Sequence, residues 1–129
     1  MTVQFAVPRR GLPSAASFRE WARRFPGLTL RIVGAREGRV LNRKYRKKNK
    51  PTNVLSFETG DVVLCDPVIR REARAQKKTL RAHYAHLVIH GALHLRGYDH
   101  VTGAQARRME RQEVRILRRL GFADPYTIE

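Results

Sequence analysis

Thr79–His100 reads TLRAHYAHLVIHGALHLRGYDH, and this stretch decides the architecture. At about 100° per residue, His83, His86, His90 and His94 fall within an arc of about 80°, and apolar residues cover most of the remaining circumference. A helix from about Thr79 to Arg96 that is apolar on nearly every other side belongs in a core. Gly97 breaks it. Four imidazoles on the last face of a core helix need partners there.

Working outward, Thr102 to Leu120 reads as a second long helix that Gly121 ends. Upstream, Pro67 opens a helix to about Gln76. Val54 to Glu58 and Asp61 to Cys65 are strand-like runs separated by Thr59 and Gly60, a tight antiparallel connection. Val3 to Val7 and Leu28 to Val33 read as strands, with a short helix from Ala15 to Arg24 between them, ended by Pro26 and Gly27. Arg36 to Lys48 places Val40, Leu41 and Tyr45 at helical spacing among basic residues, and Pro51 closes that helix. The order β-α-β-α-β-β-α-α-α predicts an α/β (α+β) fold: a small mixed sheet of about four strands packed with about five helices.

The chain of 129 residues, 42% hydrophobic, is long enough for one domain, taken as residues 1–129, and short for two. Its one cysteine, Cys65, excludes an internal disulfide and reads as a small space-filling residue. The stretch from Met1 to Val7 is interrupted by Thr2 and Gln4 and stopped by Pro8, Arg9 and Arg10, so it does not serve as a secretory signal. No apolar run reaches the ~18 residues that cross a bilayer. The expectation is a cytoplasmic protein without membrane association. Lys and Arg number 27 against 11 acids, a formal +16 that points to a polyanionic partner, for which RNA, DNA and acidic membrane lipid all fit, unless many of the charges simply stand solvated.

His90 and His94 are one turn apart, about 6 Å along the axis, within reach of one metal ion. His86 and His94, about 12 Å apart on the same axis, are not. Gly97 turns the chain back and delivers His100, so His90, His94 and His100 form a three-histidine site with a fourth position left for water. The spacing His-x3-His-x2-Gly-x2-His is shared with zinc proteases. Those enzymes place a glutamate base directly after the first histidine, where this chain has Gly91, so the protease reading needs another base. His83 and His86 can pack, or can touch substrate or a water outside the ligand set. Asp99 can orient a ligand or cap the backbone.

The run AHYAHLVIHGALHLRGYDH (Ala82–His100), with LNRKYRKKNKPTNVLSF (Leu41–Phe57), GDVVLC (Gly60–Cys65) and LGFADPY (Leu120–Tyr126), closely resembles the YbeY family of bacterial endoribonucleases. The resemblance implies a zinc-binding, single-strand-specific RNA hydrolase acting in 3′-end maturation of small-subunit rRNA and in ribosome quality control. It carries the metal ligands onto His90, His94 and His100 and the family's functional arginine onto Arg46. One departure is the Phe57–Gly60 link, where only Glu58 and Thr59 remain and many members have a longer, proline-containing loop. In this reading, a divalent metal, zinc first, activates water and polarises a phosphoryl oxygen while Arg46 clamps the others.

On the last helix Arg107, Arg108, Arg111, Arg115, Arg118 and Arg119 fall within about 120°, opposite Ala106, Met109, Ile116, Leu117 and Leu120. Glu110 and Glu113 lie outside the arginine arc, so that face can engage phosphates of rRNA, a pre-ribosome or the small ribosomal subunit, or stand solvated. Phe57, Tyr84 and Tyr98 read as core rather than as a base-stacking platform. Any ribosomal or GTPase protein partner is unreadable. The competing reading from another class is a non-catalytic ribosome-associated rRNA-binding factor with a structural metal; a metalloprotease comes third.

Overall fold

The computed structural model describes residues 1–46 and 52–127, with the backbone alone at Arg46. The described residues form four strands, β1 (Thr2–Phe5), β2 (Thr29–Val33), β3 (Val54–Ser56) and β4 (Asp61–Cys65), and five helices, α1 (Ala15–Trp21), α2 (Ala35–Arg46), α3 (Asp66–Ala75), α4 (Leu80–Leu95) and α5 (Gly103–Arg119). The predicted element order is the observed one. The expected helix end at Lys48 and its closure at Pro51 fall outside the described residues.

The sheet runs β1-β2-β4-β3, with β1, β2 and β4 parallel and β3 antiparallel to β4. Alternation along the two central strands sorts the core. Leu30, Ile32, Val62 and Leu64 join Phe18, Trp21, Tyr84, Val88 and Met109 on the face covered by α1, α4 and α5. Val33, Val63 and Cys65 point the other way, with Val68, against Leu41 of α2. Cys65 is a buried space-filler, and burial pushes its thiol up from the ordinary value. Each fully buried aromatic or branched aliphatic side chain contributes about 2 kcal/mol.

β1 ends at Phe5, two residues before the expected Val7, although the Ala6 N–H still donates to Ile32 O at 2.8 Å. α1 likewise ends at Trp21 rather than Arg24. In α2 the inward position is taken by the buried Asn42, while Val40 and Tyr45 are exposed; the Tyr45 ring meets Phe57 edge-on, with centroids 5.0 Å apart. The β3–β4 link is tight: Gly60 N–H donates to Phe57 O at 2.9 Å, and Gly60 adopts φ +96°, in the left-handed region.

α4 lies at the centre of the packing. Thr79 caps it, its hydroxyl accepting from Ala82 N–H at 3.0 Å. At its far end Gly97, at φ +96°, donates to His94 O and Tyr98 N–H reaches back to Leu93 O, both at 3.1 Å. This left-handed cap reverses the chain and carries residues 98–100 back beside the helix. Thr102 and Gln105 then form a reciprocal capping box that starts α5.

Candidate metal and RNA-processing site

His90 and His94 project from the last two turns of α4, and His100 arrives from the reversed chain. The His90 and His100 ring centroids are 5.6 Å apart and those of His94 and His100 are 6.2 Å apart. All three line one cleft of about 1070 Å³, shared with Asn53, Ser56 and Asp99. The structure thus brings the predicted histidines to a common wall. Among the described residues, however, no three or more His, Cys, Asp or Glu side chains stand close enough to form a ready-made metal cage.

The hydrogen bonds of the two helical histidines decide which nitrogens remain available. His90 Nδ1 lies 3.2 Å from Glu113 Oε2, and His94 Nδ1 lies 3.2 Å from the Tyr98 carbonyl oxygen. Both partners are acceptors, so each Nδ1 carries the proton and donates it. Each Nε2 is left with a lone pair and no hydrogen-bond partner among the described residues. An imidazole tied at one nitrogen to a carboxylate or carbonyl, with the other free, is the donor chemistry a divalent transition metal takes. The residues present therefore fit such an ion.

Glu113, the partner of the candidate ligand His90, is the residue that reading the sequence missed. It is 0% exposed. Its Oε1 lies 2.5 Å from His86 Nε2 and accepts from the Tyr126 hydroxyl at 2.6 Å, while Oε2 accepts from His90. Burial pushes this carboxyl up, but the hydrogen bonds from His86, His90 and Tyr126 outweigh it and hold the group down at about 2. Burial, and then the hydrogen bond to Glu113, push the Tyr126 phenol up from its ordinary value. A signal was available: Glu113 is four residues from both Met109 and Leu117, inside the apolar stripe of α5, where an unpaired acid is costly.

His83 and His86 are held by protein rather than left open. His83 Nε2 bonds Glu72 Oε1 at 3.0 Å, and burial lowers its imidazole below the ordinary value against the opposing pull of Glu72. The Nδ1 atoms of both rings are buried without a hydrogen-bond partner among the described residues. Asp99 caps the turn, accepting from His100 N–H at 2.7 Å. Tyr84 is core, its hydroxyl donating to Asp66 at 2.6 Å; Phe57 and Tyr98 pack at the core margins. The Arg46 side chain, assigned a role through the family resemblance, lies outside the described residues.

Gly91 has a structural reason. A Cβ there would sit 2.9 Å from Val62 Cγ1, 3.1 Å from Ser56 Oγ and 3.3 Å from Val54 Cγ2. Ser56 also donates its hydroxyl to Gly91 O at 3.1 Å. α4 lies so close to the sheet here that the glutamate of a zinc protease has no room.

Comparison with known proteins points the same way. The family described as Endoribonuclease YbeY matches residues 9–121. Proteins carrying that name include one from Nitrosomonas eutropha, 50% identical over the whole of this chain and 99% of its own. One from Stenotrophomonas maltophilia strain R551-3 is 46% identical over all of this chain and 94% of its own. A Thermotoga maritima protein solved in solution shares the fold at a TM-score of 0.52 and 19% identity, covering 98% of this chain and all of that one. The extent and identity of these matches place the chain in the YbeY endoribonuclease family.

Proposed function

We propose that this protein is a metal-dependent, single-strand-specific endoribonuclease with its reaction centre at His90, His94 and His100. On the family's precedent, its substrate is rRNA, at the 3′ end of the small-subunit species within a pre-ribosome or small subunit, and its work includes ribosome quality control. The observation that carries the reading is the pairing of two tied Nδ1 atoms with two Nε2 atoms that have no partner among the described residues, on the cleft that His100 also lines.

A divalent metal, zinc first, would be held by those three histidines and would supply Lewis acidity for attack of water on the phosphodiester. The chain's own groups do the rest. Glu113 and the Tyr98 carbonyl orient the His90 and His94 rings and fix their tautomers. Glu113 is thus a positioning residue. On the family's precedent, Arg46 would set its guanidinium, a double donor, against the non-bridging phosphate oxygens as charge builds on them. Gly91 lets the helix meet the sheet and so sets the depth of the cleft.

The test is cleavage of a labelled single-stranded RNA by wild type, His94→Ala and Arg46→Glu, with metal content determined on the same preparations. The expected result is cleavage lost in both variants and metal lost only from His94→Ala. If metal-loaded wild type cleaves neither free RNA nor pre-ribosomes, the catalytic reading gives way to a metal-stabilised rRNA-binding factor.

A further inference from the structure

One hollow opens from the histidine cleft, and a second borders the first. The first, about 320 Å³, lies between α3, α4 and the C-terminal segment, and shares Asn53, Val54, Glu72 and His90 with the cleft. Its outer wall is Tyr126. The same tyrosine lines the second hollow, a groove of about 870 Å³ along α5 that includes Arg107, Arg111, Arg115 and Arg118. His90 thus links the cleft to the first hollow, and Tyr126 stands between that hollow and the arginine groove of α5.

The charge along the α5 groove is unbalanced. All six arginines of the α5 face are exposed, and none forms an ion pair among the described residues. Glu110 and Asp124 are the acids lining the groove, and Glu113 is turned inward and spent on His86, His90 and Tyr126. Val114 adds an apolar strip to the floor. Tyr126, 41% exposed, offers a ring at the rim where the two hollows meet. Guanidinium groups beside an apolar strip and an aromatic ring suit a strand that presents both phosphates and unpaired bases.

We propose that single-stranded RNA seated at the three-histidine cleft continues past Tyr126 onto the arginine groove of α5, which grips the strand away from the reacting bond. This rests on the nuclease reading for the strand's position in the cleft. The grip itself is electrostatic: arginines displace counterions from the backbone, so binding weakens with salt in proportion to the phosphates contacted.

The experiment uses full-length His94→Ala protein, which removes cleavage from the readout, and a labelled polyuridine oligonucleotide in a salt series followed by fluorescence anisotropy. Arg111→Gln/Arg115→Gln is compared with a charge-matched pair on the opposite side of the sequence, Arg19→Gln/Arg23→Gln. The α5 pair should flatten the plot of log affinity against log salt by about 1.4, from two contacts at about 0.7 each for a single strand. The Arg19/Arg23 pair should leave the slope unchanged. Equal changes from both pairs, no change from the α5 pair, or tighter binding of a duplex of equal length would overturn the track. A wild type that shows the α5-specific slope but cleaves nothing would support the track and sink the hydrolase reading. A wild type that cleaves, with a slope indifferent to the α5 pair, would do the reverse.

Discussion

Glu113 stays charged in a place where burial alone would neutralise it, because three donors converge on its two oxygens. Replacing it with Gln keeps the shape but removes the charge and one acceptor. Glu113→Gln is expected to weaken metal binding by about 10- to 100-fold, read by chelator competition, with helicity unchanged in circular dichroism. His83 supplies a pH signature. Its folded value lies below the ordinary 6.5, so as pH falls through 6.5 the unfolded chain takes up the proton first. Stability is therefore present above 6.5 and is lost progressively as pH drops from there through the depressed folded value. Urea unfolding across that range should show this loss in wild type, and His83→Gln should remove that part of the pH dependence. Neither residue's partner could be read locally: Glu72 is 11 positions from His83 and Glu113 is 23 from His90, and helical periodicity says nothing about contacts between helices.

At the scale of elements, the close meeting of α4 with β3 and β4 makes Gly91 the position least able to grow. Ala at a helix interior gains about 1 kcal/mol in propensity, but a Cβ at 2.9 Å from Val62 costs about 1–3 kcal/mol in overpacking. Gly91→Ala should lower unfolding stability by up to about 2 kcal/mol net, seen in the urea midpoint. Tyr84→Phe removes the hydroxyl that ties α4 to Asp66 at the start of α3. It should cost about 1–2 kcal/mol, since Asp66 keeps its bond from Arg70 at 2.8 Å. The elements themselves were legible. β4 was read to the residue, and α4 and α5 to within one at each end, because long apolar periods with Thr caps and glycine stops are local signals. The early ends of β1 and α1 were not, since pairing partners and the following turns decide them. The insertion of β4 between β2 and β3 was equally hidden, because long-range pairing leaves no mark in local alternation.

For the whole molecule, the distribution of charge and the position of the site are linked. The +16 balance was plain in the sequence, as was the arginine arc; the place of Tyr126 between the α5 groove and the hollow beside His90 was not, because separate segments build it. A metal that binds the folded protein alone should stabilise all of it. At about 1000 times its Kd, zinc should add about 4 kcal/mol to unfolding, and His100→Ala should reduce that gain in a thermal melt. The hydrogen bond between Glu113 and His90 also fixes the phase of α5 against α4. One residue inserted between His100 and Glu113 would rotate the carboxylate by about 100° and send it to the wrong side of the helix. The short hairpin from Phe57 to Gly60 bears no such constraint. Changes of chain length during the divergence of such proteins are thus expected to collect at that hairpin, while the span from His94 to Glu113 drifts in composition and keeps its count.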